Sequence, residues 1–282
     1  MSRIVYVNGD YMPEEEAKIS IFDRAFLFAD GIYEVTTVLD GKLVDFAPHL
    51  ERLHRSLREL DMAQPVTDAE LKEMHEQLIA HNKLTEGSVY MQITRGVAER
   101  DFTYPENAEQ TIVAFTQVRN VFDPPEAKKG IRIITIPDIR WQRRDIKTTG
   151  LLAQAMGKQA AALAGADDAW MVEHGHVTEG TANNAFIVLD DDRLVTRPLS
   201  NSILSGITRR AILKLAESGE ISFEERPFTV DEAKSASEAF LTSAASIAIP
   251  IVEIDGVMIG GGQPGPVTRK LREMYFAAAR KQ

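Results

Sequence analysis

The chain has 282 residues, of which 44% are hydrophobic and 26% are charged, a balance typical of a globular protein long enough for two domains. Its formal net charge is −10 and no long basic segment occurs, so nucleic acid is not expected as a partner. No apolar run approaches the roughly 20 residues of a membrane span, and the N-terminal residues lack a signal peptide's apolar core. With no cysteine in the chain, we expect a cytoplasmic protein without a membrane anchor, disulfides or thiolate metal sites.

The first 120 residues predict a mixture of helix and antiparallel sheet. Asn8-Gly9-Asp10 is a strong hairpin signal, and Thr67 with Glu70 forms the capping box of a helix that extends to about Asn82. A second helix is expected where leucines recur at helical spacing, over residues 48–60. Alternation of apolar and polar residues predicts strands at 4–7, 32–39, 43–46, 88–95 and 111–118.

A proline-rich, charged stretch at residues 121–130 predicts a linker, so we expect domains at 1–120 and 131–282. The second domain is expected to contain helices at about 151–163 and 207–218, and a last helix that begins at Pro266. Strands are expected at 131–136, 169–173, 239–243 and 249–254. No metal site is expected, because His75 and His81 are six residues apart and lie on different faces of their helix.

The segment 141–186 contains the strongest candidates for chemistry. Lys147 precedes an apolar-periodic helix, and Glu179 stands in a tight Thr-Glu-Gly step before a predicted strand. A compact helix and strand between them can bring the two residues close, although 32 positions separate them (179 − 147). Taken alone, a lysine and a glutamate of this kind are more often solvated surface residues than functional ones.

The context of these two residues resembles a known family. Asp145-Ile146-Lys147 before a helix, then Val177-Thr178-Glu179-Gly180, then residues 202–209 (SILSGITR) are similar to the class IV pyridoxal-phosphate aminotransferases, and most similar to the D-amino-acid aminotransferases. The likeness extends over nearly the whole chain. It implies fold type IV, an α+β and α/β architecture with a small N-terminal α+β lobe and a larger, barrel-like C-terminal lobe.

The resemblance also implies a cofactor, pyridoxal 5'-phosphate, and a reaction in which an amino donor passes its amino group to a 2-oxo acid. In the family a lysine forms a Schiff base with the cofactor and moves the proton at the α-carbon of the substrate; here that residue is Lys147. A carboxylate beside the ring nitrogen keeps that nitrogen protonated, and by resemblance it is Glu179.

Four further positions are similar to the family's phosphate-binding residues. Arg52 matches its arginine, and Ile207 and Thr208 open a helix whose N-terminus favours an anion. The family's phosphate-binding threonine falls on Ala244, which leaves only the main-chain amide at that position.

The substrate carboxylate is held in D-amino-acid aminotransferases by a tyrosine and by an arginine–histidine pair from a neighbouring subunit. The tyrosine matches Tyr33 and the arginine matches Arg100, whereas Phe102 replaces the histidine. The resemblance therefore implies a homodimer whose pocket keeps a cation for the carboxylate and has an aromatic ring beside it.

Four alternatives stay open. Phe102 and Ala244 are compatible with an (R)-selective amine transaminase, against which Arg100 argues. Branched-chain L-amino-acid aminotransferases hold the carboxylate at a small-residue turn, which residues 243–245 could form. The lyase that cleaves 4-amino-4-deoxychorismate shares the lysine and the glutamate, and a cofactor-binding homologue without catalysis is a further possibility.

Overall fold

A computed structural model describes residues 2–219 and 221–282. The chain divides into two compact units, of which the first ends at Asn120 but also includes Ile146–Gly150. The second unit comprises Val121–Asp145 and Leu151–Gln282. The division after Asn120 lies where the first domain was expected to end. The structure differs from the expectation at two places: the expected linker 121–130 groups with the second unit, and the segment that carries Lys147 groups with the first.

The first unit is built on a six-stranded antiparallel sheet with the strand order β2-β1-β6-β5-β3-β4. Its strands are β1 (Ile4–Val7), β2 (Asp10–Pro13), β3 (Gly31–Leu39), β4 (Lys42–Leu43), β5 (Gly87–Thr94) and β6 (Thr111–Val118). The predicted hairpin at Asn8-Gly9 is confirmed, because both residues have positive φ and Val7 pairs with Asp10. The expected strand at 43–46 is wrong beyond Leu43, because Asp45 adopts a left-handed conformation and a helix begins at Phe46.

The helices of the first unit are α1 (Arg24–Phe28), α2 (Phe46–Glu59) and α3 (Asp68–Asn82). The predicted capping box of α3 is confirmed: the Thr67 side chain accepts from the Glu70 amide, and the Glu70 carboxylate accepts from the Thr67 amide. Helices α2 and α3 cover the sheet with leucine and methionine side chains. The core they share with β3, β5 and β6 includes Leu53, Leu57, Leu71, Met74, Leu78, Val89, Met91 and Ile93.

Ile146–Gly150 groups with the first unit because it pairs with the start of β3. The Tyr33 amide donates to the Lys147 carbonyl at 3.0 Å, and the Thr149 amide donates to the Gly31 carbonyl at 3.0 Å. The side chain of Ile146 is buried in the core of the first unit. This long-range pairing leaves no signal in local periodicity, which explains why the sequence did not predict it.

The second unit is built on a nine-stranded mixed sheet that begins in the order β12-β11-β10-β13-β14-β7-β8-β9, with β15 beside β14. Strand β7 is parallel to both β8 and β14, whereas most other pairs are antiparallel. The strands are β7 (Ile131–Pro137), β8 (Asp168–Glu173), β9 (His176–Gly180), β10 (Asn184–Val188), β11 (Leu194–Thr196), β12 (Phe223–Glu225), β13 (Glu238–Ser243), β14 (Ile247–Ile254) and β15 (Val257–Met258).

The helices of the second unit are α4 (Pro125–Lys129), α5 (Leu152–Leu163), α6 (Ile207–Ser218), α7 (Val230–Ser235) and α8 (Pro266–Ala279). The expected helices at 151–163 and 207–218 and the helix start at Pro266 are confirmed, the first within one residue. Glu179 was expected in a turn before a strand, but it lies inside β9, where it is the penultimate residue. The core of this unit includes Trp170, Phe228, Ile187, Val195, Leu241 and Ile251.

Two absences concern only residues 2–219 and 221–282. Within these residues no helix combines the length and the apolar character that crossing a bilayer requires. The same residues contain no group of three or more histidine, aspartate or glutamate side chains arranged to hold a metal ion.

The buried His75 predicts a specific pH dependence of stability. Burial lowers its pKa from 6.5 to about 4, while its Nδ1 donates to the Leu71 carbonyl at 2.7 Å. The unfolded chain therefore binds more protons between pH 6.5 and pH 4, so the stability contributed above pH 6.5 is lost as the pH falls, by roughly 3 kcal/mol in all. We expect His75→Phe to remove this part of the slope in urea unfolding measured from pH 7 to pH 5. His81→Gln, at an exposed position, is the control, and an unchanged slope in His75→Phe would contradict the prediction.

Candidate active site

Lys147 lies beside Tyr33 in the first unit. The pairing of its main chain with β3 brings the ammonium nitrogen Nζ to 4.1 Å from the centroid of the Tyr33 ring. Both side chains are only half-buried, so the amine is accessible. A cation over an aromatic face is attracted by the ring, which gives the lysine a defined orientation.

Tyr33 is the first ring of an aromatic row on the first sheet. Its ring stacks on Tyr90 with centroids 5.4 Å apart, and Tyr90 stacks on Phe115 at 4.8 Å. The three residues come from the adjacent strands β3, β5 and β6. Burial, with the nearby Tyr33 contributing, raises the pKa of Tyr90 well above its ordinary value, so its phenol stays neutral. The row holds Tyr33 in place by ring packing.

Arg52 on α2 forms a buried two-point contact with Glu34. Its Nε donates to Oε1 at 2.8 Å and its Nη2 donates to Oε2 at 2.7 Å, while Nδ1 of His49 lies 2.7 Å from Oε2. Burial acts to raise the pKa of Glu34, but the charge and hydrogen bonds of Arg52 and the hydrogen bond with His49 outweigh it and hold that pKa far below its usual range. Glu34 thus stays ionised and fixes Arg52. The sequence analysis identified Arg52 but missed Glu34 and His49.

Arg100 and Phe102 lie on an exposed loop of the first unit. The guanidinium of Arg100 is 5.4 Å from the ring centroid of Phe28 and 5.5 Å from that of Phe102. The two rings are themselves 5.5 Å apart, and Phe102 is 79% exposed. Among the described residues no carboxylate forms an ion pair with Arg100. The two rings orient this cation and leave its charge available to an anion.

Asp30 connects this loop to the sheet. Its Oδ2 accepts from Nε of Arg24 at 2.7 Å and from Nε of Arg95 at 2.8 Å, and all three side chains are less than one-tenth exposed. Arg24 also donates to the carbonyl of Asp101, next to Arg100, at 2.6 Å. One carboxylate therefore holds two buried arginines, one of which fixes the backbone of the Arg100 loop.

Glu179 is a buried carboxylate in the second unit, with three donors around it. Arg140 forms a short ion pair with its Oε1, Nδ2 of Asn184 donates to Oε2 at 2.9 Å, and the Leu204 amide donates to Oε2 at 3.1 Å. Burial raises the pKa of Glu179, and Arg140 opposes that shift. A carboxyl group with a raised pKa, fixed on three sides, is suited to share a proton with a basic ring nitrogen.

Arg140 is itself held by Asp138, which accepts from its Nη2 at 2.6 Å and from the Thr178 hydroxyl at 2.6 Å. Burial acts to lower the pKa of Arg140, but the hydrogen bond to Asp138 and the charges of Glu179 and Asp138 outweigh it and raise that pKa above its usual value. Arg140 therefore keeps its charge beside Glu179. The sequence analysis assigned no role to Arg140, Asp138 or Asn184, because only long-range contacts bring them to Glu179.

Ile207 and Thr208 form the first turn of α6, as predicted. Gly206 is the N-cap, and within the described part of the chain no side chain caps this helix end. Both residues are buried. A Cβ at Gly206 would lie 1.9 Å from Oδ1 of Asn184, the residue that contacts Glu179, so only glycine fits there. An uncapped first turn provides amide donors and a positive dipole end, the usual features of an anion site.

Ala244 lies in a tight turn between β13 and β14. The hydroxyls of Ser243 and Ser246 are 2.8 Å apart across the turn. Ile247, which follows, has φ of 64°, a left-handed conformation that is an outlier for a β-branched residue. The methyl side chain of Ala244 leaves the main chain to provide any polar contact at that position.

Within each unit the structure thus groups the predicted residues as follows. In the first unit, Lys147 contacts Tyr33, while Arg100 contacts Phe102. In the second unit, Asn184 connects Glu179 to the start of α6. Arg52 is fixed by Glu34, which follows Tyr33 in β3.

Comparison with known proteins adds the following. A sequence model of the family described as amino-transferase class IV matches residues 31–254. The D-alanine aminotransferase of Staphylococcus aureus strain N315 is 39% identical over 274 residues, which cover 96% of each chain. That of Bacillus licheniformis is 37% identical over 95% of this chain and 94% of its own.

Solved structures of branched-chain amino acid aminotransferases are also similar to this chain. That of the thermophilic archaeon Thermoproteus uzoniensis, with norvaline, superposes with a TM-score of 0.86 at 27% identity, over 99% of this chain and 95% of the other. That of T.th. with pyridoxamine 5'-phosphate superposes with a TM-score of 0.91 at 25% identity, over 100% of this chain and 96% of the other. The fold is therefore that of the class IV enzymes along the whole chain.

The shared carboxylate of Asp30 predicts a large loss of stability on substitution. Asp30→Asn leaves the buried guanidinium groups of Arg24 and Arg95 without their counter-charge, so we expect the free energy of unfolding to fall by about 3–5 kcal/mol. Glu76→Gln, which removes an exposed ion pair with Lys72, is the control and should change it by less than about 1 kcal/mol. Urea unfolding measures both. Equal stability of the two variants would show that Asp30 does not hold the arginines together.

Proposed function

Because the chain belongs to the class IV aminotransferase family of pyridoxal-phosphate enzymes, we propose that it moves the amino group of a D-amino acid to a 2-oxo acid. The observation that carries this proposal is the accessible Lys147 amine over the Tyr33 ring, in a chain 39% identical to a D-alanine aminotransferase. The small-molecule partners are accordingly an amino donor and a 2-oxo acid acceptor.

The side chains present fit pyridoxal 5'-phosphate. The uncapped start of α6 at Ile207 and Thr208 offers amide donors to a phosphate, and a glycine is sterically required just before it. We assign the phosphate to these amides, to the main chain at Ala244 and to Arg52. The buried carboxylate of Glu179 is assigned to the ring nitrogen, and the Lys147 amine to the aldehyde carbon.

When bound, the cofactor supplies an aldehyde carbon that accepts amino groups and a ring that accepts electrons. Lys147 then acts as the amine that is displaced by the substrate, and as the base and acid for the proton at the substrate's α-carbon. Glu179 holds the proton at the ring nitrogen, since Arg140, Asn184 and the Leu204 amide fix its two oxygens. Tyr33 orients the lysine amine through its ring face.

We assign the substrate carboxylate to Arg100 and Tyr33. Arg100 is an exposed cation held by aromatic contacts alone, so its charge is not neutralised by a carboxylate of the described chain. Phe102 takes the place of a polar residue beside it, which supports a donor with an apolar side chain. The same feature favours a second candidate, an (R)-selective amine transaminase, because the exposed Phe102 ring could pack on a donor without a carboxylate.

The proposed enzyme is a homodimer in the cytoplasm. Support comes from an apolar surface on the first unit, which we call the 19–26/97–104 surface. Its two segments are joined by main-chain hydrogen bonds from Arg24 to Gly96 at 2.9 Å and from Ala98 to Phe22 at 3.3 Å. It exposes the large side chains Ile19, Ile21, Phe22, Phe26, Val97, Phe102 and Tyr104. An exposed apolar area of this kind, next to Arg100, is typical of a protein interface.

A donor screen tests the substrate class. Protein loaded with pyridoxal phosphate is mixed with D-alanine, L-leucine or (R)-1-phenylethylamine, and the cofactor's absorption band is followed without an acceptor. We expect D-alanine to change the band and the other two donors to act far more slowly. A response to L-leucine alone would assign the chain to the branched-chain enzymes, and a response to the amine alone to the amine transaminases. Release of pyruvate from 4-amino-4-deoxychorismate without an acceptor would indicate the lyase.

Two substitutions test the assigned roles. Lys147→Ala should abolish turnover, because it removes the amine and the base together; losses for a catalytic base alone are on the order of 10²–10⁴-fold. Glu179→Gln should retain the cofactor but slow turnover, because an amide cannot keep the ring nitrogen charged. Lys158→Ala, an exposed lysine on α5, is the control and should leave both the absorption band and turnover unchanged. Full turnover by Lys147→Ala would refute the assignment.

Light scattering tests the dimer. We expect a mass near twice the 31.3 kDa of one chain at micromolar concentration. Phe26→Glu, which places a charge on the 19–26/97–104 surface, should shift the population toward monomer. Val118→Glu alters a similarly exposed apolar residue of the same unit and should leave the mass unchanged. A monomeric native protein would contradict this proposal.

A further inference from the structure

Arg272, on the last helix α8, is a buried arginine that serves main-chain carbonyls. It is 8% exposed. Its Nη1 donates to the carbonyls of Ser246 at 2.6 Å and Ala248 at 2.9 Å, and its Nη2 donates to those of Val121 at 2.5 Å and Phe122 at 3.1 Å. A single planar guanidinium thus joins two separate segments of the second unit.

The surroundings of Arg272 contain little compensating charge. Burial lowers its pKa to about 10, and the nearest attraction comes from Asp123, which itself pairs with Lys128 at 2.5 Å. The guanidinium lies 4.9 Å from the centroid of the Phe276 ring. A buried cation is unfavourable unless its hydrogen bonds are satisfied, so the four carbonyls must stay in place around it.

The carbonyls of Ser246 and Ala248 lie on either side of Ile247, the residue with the left-handed conformation. Such a conformation persists in a β-branched residue only where surrounding contacts enforce it. One nitrogen of Arg272 contacts both flanking carbonyls, and so opposes relaxation of the backbone at Ile247. The turn that carries Ala244 is therefore held from its C-terminal side.

Helix α8 is also attached to the strand that enters the same turn. The Glu238 carboxylate, in β13, accepts from the amides of Val267 and Thr268 at 2.8 and 2.9 Å and from the Thr268 hydroxyl at 2.6 Å. The first turn of α8 is thus fixed to β13, and its second turn, through Arg272, to the start of β14. The helix connects the two strands on either side of the Ala244 turn.

We propose that Arg272 is a positioning residue that fixes the backbone of residues 243–248 and thereby sets the affinity of the protein for the cofactor phosphate at Ala244. This rests on the proposed function. With an alanine at 244, the contact at that position falls to a main-chain amide, and an amide cannot adjust as a side chain can. The accuracy of the turn therefore decides that contact.

Hydrogen–deuterium exchange of the cofactor-free protein tests the structural half of the proposal. Arg272→Met keeps the length of the side chain but removes its donors, and Arg272→Lys keeps the charge with a single nitrogen. We expect faster exchange in both variants at residues 243–248 and 121–122, with little change elsewhere. Arg269→Met, at an exposed position of the same helix, is the control. Unchanged exchange in the turn would overturn the proposal.

Titration with pyridoxal phosphate tests the functional half. We expect the dissociation constant to rise about tenfold in Arg272→Met and less in Arg272→Lys, while Arg269→Met stays within about twofold of the native protein. A dissociation constant that stays native despite faster exchange would limit Arg272 to stability and overturn its role at the cofactor. If Arg272→Met does not fold, Arg272→Lys decides by the same criteria. Failure of the native protein to bind the cofactor would refute the proposed function instead, and the exchange result would still judge the hold on the turn.

Discussion

The main-chain pairing of Ile146–Gly150 with the start of β3 is the constraint on which the candidate chemistry depends. The hydrogen bond from the Tyr33 amide to the Lys147 carbonyl fixes the backbone of the lysine, so only its side chain remains mobile. The ring of Tyr33 then restricts that side chain, and the aromatic row through Tyr90 and Phe115 restricts the ring. A flexible nucleophile is in this way held by a rigid sheet, an arrangement that reduces the entropy lost when it reacts.

Two buried glutamates show how the same side chain is prepared for different tasks. Glu34 meets Arg52 and His49, and these contacts hold its pKa very low, so it stays an ionised support for Arg52. Glu179 meets one arginine, an amide side chain and a main-chain amide, and burial raises its pKa. The difference lies in the donors around each carboxylate rather than in burial, since both are less than 5% exposed.

The sequence predicted most helices and strands, because periodic apolar positions and end signals such as the Thr67 capping box and Pro266 are local. It also identified Lys147, Glu179, Arg52 and Arg100, through motifs that resemble a known family. It missed the contacts that prepare these residues: Glu34 beside Arg52, Arg140 and Asn184 beside Glu179, and Asp30 behind the Arg100 loop. One of these contacts, between Asp30 and Arg95, joins positions 65 residues apart, and local periodicity contains no information on such pairs. It also placed Glu179 in a turn, because the short strand β9 ends in a glycine.

The route of the chain between the two units has a consequence for dissecting the protein. The polypeptide leaves the first unit after Asn120, returns to it for Ile146–Gly150, and leaves it again. No single cut can therefore separate the units intact: a fragment ending at Asn120 would lack Ile146 from its core and the segment that pairs with the start of β3. By the same reasoning, a recombination event with one crossover could not exchange either unit for a homologous one without splitting it. The reactive lysine and the sheet that holds it would have to be inherited together with the intervening residues 121–145.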